Sequence, residues 1–383
     1  MGKIGIITHY YNSKNYGGVL QAYALCRFLR NQGYDAEQIQ FDKEKDKRLK
    51  HKIGEVCRYF LSIPLRIRYK KIYAELSVRE KKIAEFRCEQ VPHSEAVFTK
   101  KTLMKLAKKY TLFITGSDQV WHPDAVCDAY LLDFGVKDVK KMSYAASIAK
   151  DNLTEQELDR YRSALADYCA ISVREKNAIK LLQPIAPVDV KWVVDPVFLL
   201  KKMEWQSLIE NKSNTDSSYL MCYFLGDDKE VRKLAEAYAR CKGIRLVVIP
   251  FLGGSVCDFE LGFGEELHIN ASPIEFIRLI RDASIVFTDS FHAMAFSLIF
   301  EKQVFAFERN VRVSMGSRIE SLAEVFEVLG HYCNSPERRT LEYINKIDLI
   351  DYSRRFAKFE MMRNESIHFL IQNVERCLKK DKQ

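Results

Sequence analysis

Residues 284–300 read SIVFTDSFHAMAFSLIF. Ile285, Val286 and Phe287 form an apolar run without polar alternation, which is how a strand covered on both faces of a parallel sheet reads. From Ala293 to Ile299 the residues are good helix formers with no Gly or Pro. Between the two runs lie Thr288, Asp289, Ser290, Phe291 and His292, with Asp289 or Ser290 as the natural N-cap. Polar groups therefore fall at the carboxyl end of a buried strand and in the first turn of a helix. Ligands of open α/β sheets bind in that crevice, and free helix N–H groups there favour anions. His292 can carry a proton near neutral pH, although a lone histidine is more often structural.

The same grammar recurs on both sides. Lys3–Thr8 reads as a strand, Gly18–Asn31 as a helix ended by Gly33, and Ala36–Phe41 as a second strand. Gly17 and Gly18 leave the backbone bare where the helix begins, either for close approach of a ligand or simply to make the turn. The pattern is not the dinucleotide fingerprint. Thr111–Thr115 is a strand running into Gly116, Ser117 and Asp118. Met142–Ala146 ends at Ser147, Cys169–Val173 at Arg174 and Glu175, and Trp192–Val194 at Asp195-Pro196. Four strand ends bearing polar groups suggest one wall of a site. Thr154 and Glu157 form a capping box for the helix 154–167.

Polar, aperiodic residues 211–218 read as a linker, after which a second series begins. Strands at Tyr219–Phe224, Arg245–Ile249 and Val304–Phe307 alternate with helices at Lys229–Cys241, Pro273–Asp282 and after His292. A helix begins near Arg318, and a long charged helix, Ser353–Lys379, ends the chain. Strand–helix alternation implies right-handed crossovers and parallel sheets. The expected fold class is α/β, with two Rossmann-like doubly wound domains facing a cleft. The expected division is 1–210 (with a basic helical insertion at 43–110), 219–335, and a helical extension at 336–383.

Composition narrows the function. The 383 residues carry a net charge of +9 and ten cysteines. The cysteines lie singly, with no CxxC pair and no Cys/His cluster, which argues against a disulfide framework or a zinc site and fits reduced thiols in a cytosol. The N-terminal apolar run is too short for a signal peptide, and nothing approaches a membrane span. Residues 43–82 hold 14 Lys/Arg against 5 Asp/Glu. They read as basic amphipathic helices broken at Pro64: a solvated face, the more ordinary reading, or a contact with a membrane surface or an anionic lipid-linked substrate.

Arg174 from the first half, with His292 and Arg318 from the second, suits a small ligand bearing both phosphate and carboxylate. Here the chain resembles the polysaccharide pyruvyl transferases. The matching stretches, in order, are NYGGVLQAYAL (15–25), TGSDQVW (115–121), SYAASI (143–148), ISVRE (171–175), DPVFLL (195–200), TDSFHA (288–293) and SRIESL (317–322). The resemblance implies a GT-B-like architecture and transfer of the enolpyruvyl group of phosphoenolpyruvate to a glycan sugar as a ketal. It implies His292 as catalytic acid or base, and Arg174 and Arg318 as holders of the donor's carboxylate and phosphate. Where some members have Leu before this histidine, this chain has Phe291. Asp118 is the candidate acceptor of a sugar hydroxyl's proton. Ser290, Phe291, Asn15, Gly17, Gly18, Gly116, Ser117 and Ser147 complete the expected substrate-binding set.

No cofactor, metal or nucleic acid is expected. The partners are phosphoenolpyruvate and a glycan acceptor, with a lipid-linked one compatible with 43–82. The location expected is cytoplasmic, with peripheral contact at the inner face of the cell membrane. Two rivals stand beside this reading. One is a nucleotide-sugar glycosyltransferase of the same architecture, with Glu275 or Glu320 on the ribose. The other is a noncatalytic anion- or glycan-binding protein on the same scaffold.

Overall fold

Apolar, two-face-buried strands pair in parallel, and they do so twice in this chain. The computed structural model describes residues 2–42, 63–97, 99–136, 139–209, 218–252, 258–309, 316–354 and 356–379. Residues 43–62 of the basic segment, nearly all of the 211–218 linker and residues 253–257 of the Gly-rich loop lie outside these. The first sheet contains β1 (Ile4–Ile7), β2 (Ala36–Gln38), β3 (Leu112–Thr115), β4 (Lys140–Ser143), β5 (Tyr168–Val173) and β6 (Val190–Trp192), in the order β2-β1-β3-β4-β5-β6. The second contains β7 (Tyr219–Tyr223), β8 (Arg245–Val248), β9 (Glu266–Leu267), β10 (Ile285–Thr288), β11 (Gln303–Phe307) and β12 (Tyr332–Cys333), in the order β12-β11-β10-β7-β8-β9. Every pairing between these strands is parallel.

These orders place the site. In the first sheet the strand order reverses between β1 and β3, and in the second between β7 and β10. The crevice at such a reversal is where α/β sheets take ligands. Thr8–His9 and Gly116–Asp118 follow the first pair, and Asp289–His292 follows β10.

Local chemistry explains most element bounds. The Phe291–Ile299 helix is capped by Ser290, whose hydroxyl accepts the Ala293 N–H, and is buried from Phe291 to Leu298. The Pro273–Asp282 helix carries Pro at its start and a Ser272–Glu275 capping box. Several strands differ from the sequence reading: β2 stops at Gln38, short of Phe41, β9 and β12 are additions, and β4 and β6 are displaced. β4 begins at Lys140, because the ammonium of Lys141 pairs with Asp167 at 2.6 Å while its stem is buried. It ends before Ala145, which takes a positive φ of 53°. β6 spans Val190–Trp192 rather than 192–194, since Val194 turns its N–H to Ser366 Oγ at 3.0 Å.

One apolar core runs through both sheets' facing layers. Tyr16 stacks on Phe276 with ring centroids 4.7 Å apart and donates its hydroxyl to the Ala271 carbonyl at 2.6 Å. Trp205 meets Tyr23 on one side and Phe296 on the other. The C-terminal helix, Ala357–Leu378, crosses from the second sheet back to the first. Its Arg363 donates to the Phe198 and Leu199 carbonyls, and its Phe359 stacks on Phe326 at 4.2 Å. Among the described residues no helix is long and apolar enough to cross a membrane.

His331 shows how this packing responds to pH. Its ring lies tilted against Phe305 at 4.9 Å, its Nε2 has no hydrogen-bond partner among the described residues, and burial pushes its pKa down to about 4. The unfolded chain therefore binds the extra proton first, near pH 6.5. The neutral imidazole's contribution to stability is complete above that pH and is lost as pH falls toward 4. Melting temperatures from pH 7 to 4.5 should fall, and His331→Phe should remove part of that slope. An unchanged slope would exclude His331 as a source.

Candidate functional site

Asp195 is the hub around which the polar strand ends meet. Its Oδ2 accepts from Arg174 Nη1 at 2.7 Å and from Ser117 Oγ at 2.9 Å. The same oxygen lies 3.7 Å from His292 Nε2, which comes from the second sheet. Its Oδ1 accepts the Val197 N–H, capping the short turn that begins at Pro196. Arg174 reaches further, with Nη2 3.8 Å from Asp118 Oδ1, and its guanidinium stacks over the Phe291 ring at 4.4 Å. Three strand ends of the first sheet and one helix start of the second thus converge.

The glycines make the approach possible. A Cβ on Gly17 would fall 2.0 Å from His292 Nδ1, so the imidazole lies directly against bare backbone. A Cβ on Gly18 would fall 2.6 Å from the His9 carbonyl, and one on Gly116 would fall 2.3 Å from the Tyr144 carbonyl. Gly17 occupies an early helical position where alanine suits the backbone, so Gly17→Ala chiefly displaces the histidine. Displacements of about 1 Å at reacting groups cost about 10²-fold. Gly17→Ala should therefore lose about that much turnover with little change in melting temperature. Wild-type turnover in this variant would separate His292 from the chemistry.

Charge is concentrated and unevenly matched. Burial alone would raise both carboxyls. The positive groups around Asp118, Arg174 first and then His292, His9 and Arg318, hold it below the ordinary range. His292 and Arg174 hold Asp195 further below. Arg174 is pushed above its usual value, since Asp195, Asp118 and Glu175 outweigh its burial. Arg318 goes the other way. Burial, helped by the charge of Arg174, pulls it down to about 10. Its side chain keeps some exposure, and its Nη groups face the Gln119 amide, whose oxygen, turned toward them, accepts both at 3.3 Å. Four buried nitrogens here have no hydrogen-bond partner among the described residues: Arg174 Nε and Nη2, Arg318 Nε and His292 Nε2. Buried donors are normally satisfied, so this concentration of unmatched N–H groups around two guanidinium groups suits an anion.

The remaining expected residues take supporting places. Asn15 caps the Tyr16–Asn31 helix, accepting the Gly17 N–H at 2.9 Å. Ser147 donates to Glu175 at 3.1 Å, and its backbone N–H bonds the Asp118 carbonyl, so it shapes the loop that carries Asp118. Asp289 is not the cap; it accepts the N–H groups of Leu225 and Gly226 and pairs with Arg309 at 3.3 Å. Sequence reasoning left Asp195 out of the site although its Asp-Pro step marked a strand end. It also passed over Gln119 and His9, whose Nε2 lies 3.2 Å from the Gln119 carbonyl. A cavity of about 20 Å³ lies behind Arg174 and Phe291, room for about one water. A groove of about 810 Å³ between Leu200, Phe326 and Arg363 is lined by none of the converging residues.

Two doubly wound sheets with a polar cluster drawn from both define an α/β protein of the GT-B-like class. Solved structures share this fold. The UDP-GlcNAc 2-epimerase from Neisseria meningitidis bound to UDP-GlcNAc is 9% identical over 98% of this chain and 100% of its own, with a TM-score of 0.56. A putative UDP-N-acetylglucosamine 2-epimerase from Listeria monocytogenes is 10% identical over 100% and 98%, at 0.59. Phytolacca americana UGT2, complexed with UDP-2fluoro-glucose and pterostilbene, is 12% identical over 99% and 100%, at 0.53. At these identities the likeness is one of fold. No curated protein matches the chain. The model of the polysaccharide pyruvyl transferase family matches residues 15–310, and the chain belongs to that family.

Proposed function

We propose that the protein transfers the enolpyruvyl group of phosphoenolpyruvate to two hydroxyls of one glycan sugar, forming a pyruvate ketal and releasing phosphate. The observation that carries this reading is the set of unmatched buried nitrogens on Arg174, Arg318 and His292 around one point between the sheets. Phosphoenolpyruvate offers a carboxylate and a phosphate a few bonds apart, and guanidinium groups pair with both. The donor side is assigned to 219–335 and the acceptor side to 1–210.

His292 protonates the methylene carbon of the donor, and positive charge develops at the carbon that becomes the ketal centre. One sugar hydroxyl attacks that carbon and returns a proton to the neutral imidazole; phosphate leaves with its charge held by Arg174 and Arg318; the second hydroxyl closes the ketal and its proton goes to the departing phosphate. Asp118, held ionised by its cationic neighbours, is a weak proton acceptor and better suited to face the developing positive charge. Asp195 keeps Arg174 and Ser117 in place and faces the imidazole.

The nucleotide-sugar alternative loses one of its candidate ribose partners, because Glu275 is occupied by the Ser272 N–H at 2.7 Å and by Lys82 at 2.9 Å. Contact of 43–82 with a membrane or a lipid-linked acceptor belongs to the same proposal. Within that segment, Arg79 and Lys82 are engaged with the second domain, Arg79 through the Pro250 carbonyl and Lys82 through Glu275. A panel of acceptor glycosides incubated with phosphoenolpyruvate and read by mass tests the proposal. The expected result is phosphate release matched by one added pyruvate ketal. Nucleotide release from a sugar nucleotide, with phosphoenolpyruvate untouched, would overturn it.

A further inference from the structure

Away from the cleft, two cysteines 208 residues apart in the chain meet across the first sheet. Cys169, near the start of β5, and Cys377, near the end of the C-terminal helix, bring their Sγ atoms to 2.6 Å. Cys377 is buried and Cys169 half-buried, and both are thiols. Cys169 also contacts the Lys141 carbonyl at 3.0 Å, and Arg376 donates to the Cys169 carbonyl, so both chain segments are held where the sulfurs meet. The surrounding polar groups differentiate the pair. The hydrogen bond from Cys377, with Arg376 nearby, outweighs burial and holds the Cys169 thiol below the ordinary thiol range, while the Cys377 thiol is pushed up. Cys169 is thus the better nucleophile.

We infer that Cys169 and Cys377 form an oxidant-dependent disulfide that pins the C-terminal helix to β5. The co-reactant is a peroxide. The Cys169 thiolate attacks one peroxide oxygen, the O–O bond breaks, and a sulfenic acid and water result. Cys377 then attacks the Cys169 sulfur, the S–O bond breaks, and a second water leaves. Two thiols are oxidised and one peroxide is reduced. The helix so pinned also packs, through Phe359 on Phe326, against the second domain, so the bond closes a loop through both halves of the molecule.

The full-length protein, treated with hydrogen peroxide and then alkylated, should yield a Cys169–Cys377 linked peptide that disappears with dithiothreitol. A covalent loop of this length lowers the entropy of the unfolded chain, so the oxidised protein should melt about 6 °C higher. Cys377→Ser should abolish that rise and leave a Cys169 sulfenic acid that a dimedone reagent traps. Both thiols still alkylating after peroxide, or the same rise in melting temperature in Cys377→Ser, would overturn the inference.

Discussion

Replacing His292 by alanine is expected to lower turnover by about 10²–10⁴-fold, the usual contribution of a positioned acid–base group. The side chain lies at the start of a helix buried along nearly its whole length, its ring against Gly17 and its Nε2 toward Asp195. His292→Gln is the sharper variant. It keeps a polar side chain of similar size but cannot exchange a proton near neutral pH. Both variants should retain a native circular-dichroism spectrum and bind phosphoenolpyruvate, since the two arginines remain. Ketal formation by His292→Gln at the native rate would remove the histidine from the mechanism.

The largest effect on stability is expected at Arg174. The Asp195 side chain is fully buried, and this guanidinium is its close ion-pair partner at 2.7 Å. Removing one partner of a buried pair costs about 3–5 kcal/mol, because the other charge stays enclosed. Arg174→Met should therefore lower the melting temperature by roughly 5 °C and abolish turnover. Adding Asp195→Asn removes the stranded charge and should restore much of the melting temperature but none of the activity. If the double variant melts no higher than the single one, Asp195 is not the source of the loss.

The pH dependence of the same pair has a defined sign. The carboxyl of Asp195 is depressed in the folded protein, so its contribution is complete above its unfolded pKa of about 3.9. It is lost as pH falls through the lower folded-state value. Acid unfolding monitored between pH 5 and 2 should thus be shallower in the Arg174→Met, Asp195→Asn double variant than in the wild type.

Much of the fold was legible because its signals are local. The run Ile285–Phe287 followed by Ser290 and a glycine-free apolar segment specifies strand, cap and helix through contacts within a few residues. Thr154 with Glu157 does the same by reciprocal hydrogen bonds three residues apart. Two-residue strands such as β9 and β12 carry no periodicity, and their existence depends on a neighbour already in place. The start of β4 at Lys140 was hidden because a lysine whose stem is buried and whose ammonium is paired looks like a loop residue in sequence.

Polar groups at the carboxyl ends of buried parallel strands, in two successive α/β units, can be read from the chain alone. Backbone propensity, capping and burial on both faces act over short distances. Which of those groups meet depends on packing between distant segments. Asp195 takes its partners from 78 and 21 residues away and from the other sheet, and Gly17 meets His292 across the cleft. A polar cluster drawn from distant strand ends of one sheet and a helix start of the other exists only once they have packed and excluded water, so no short stretch can announce it.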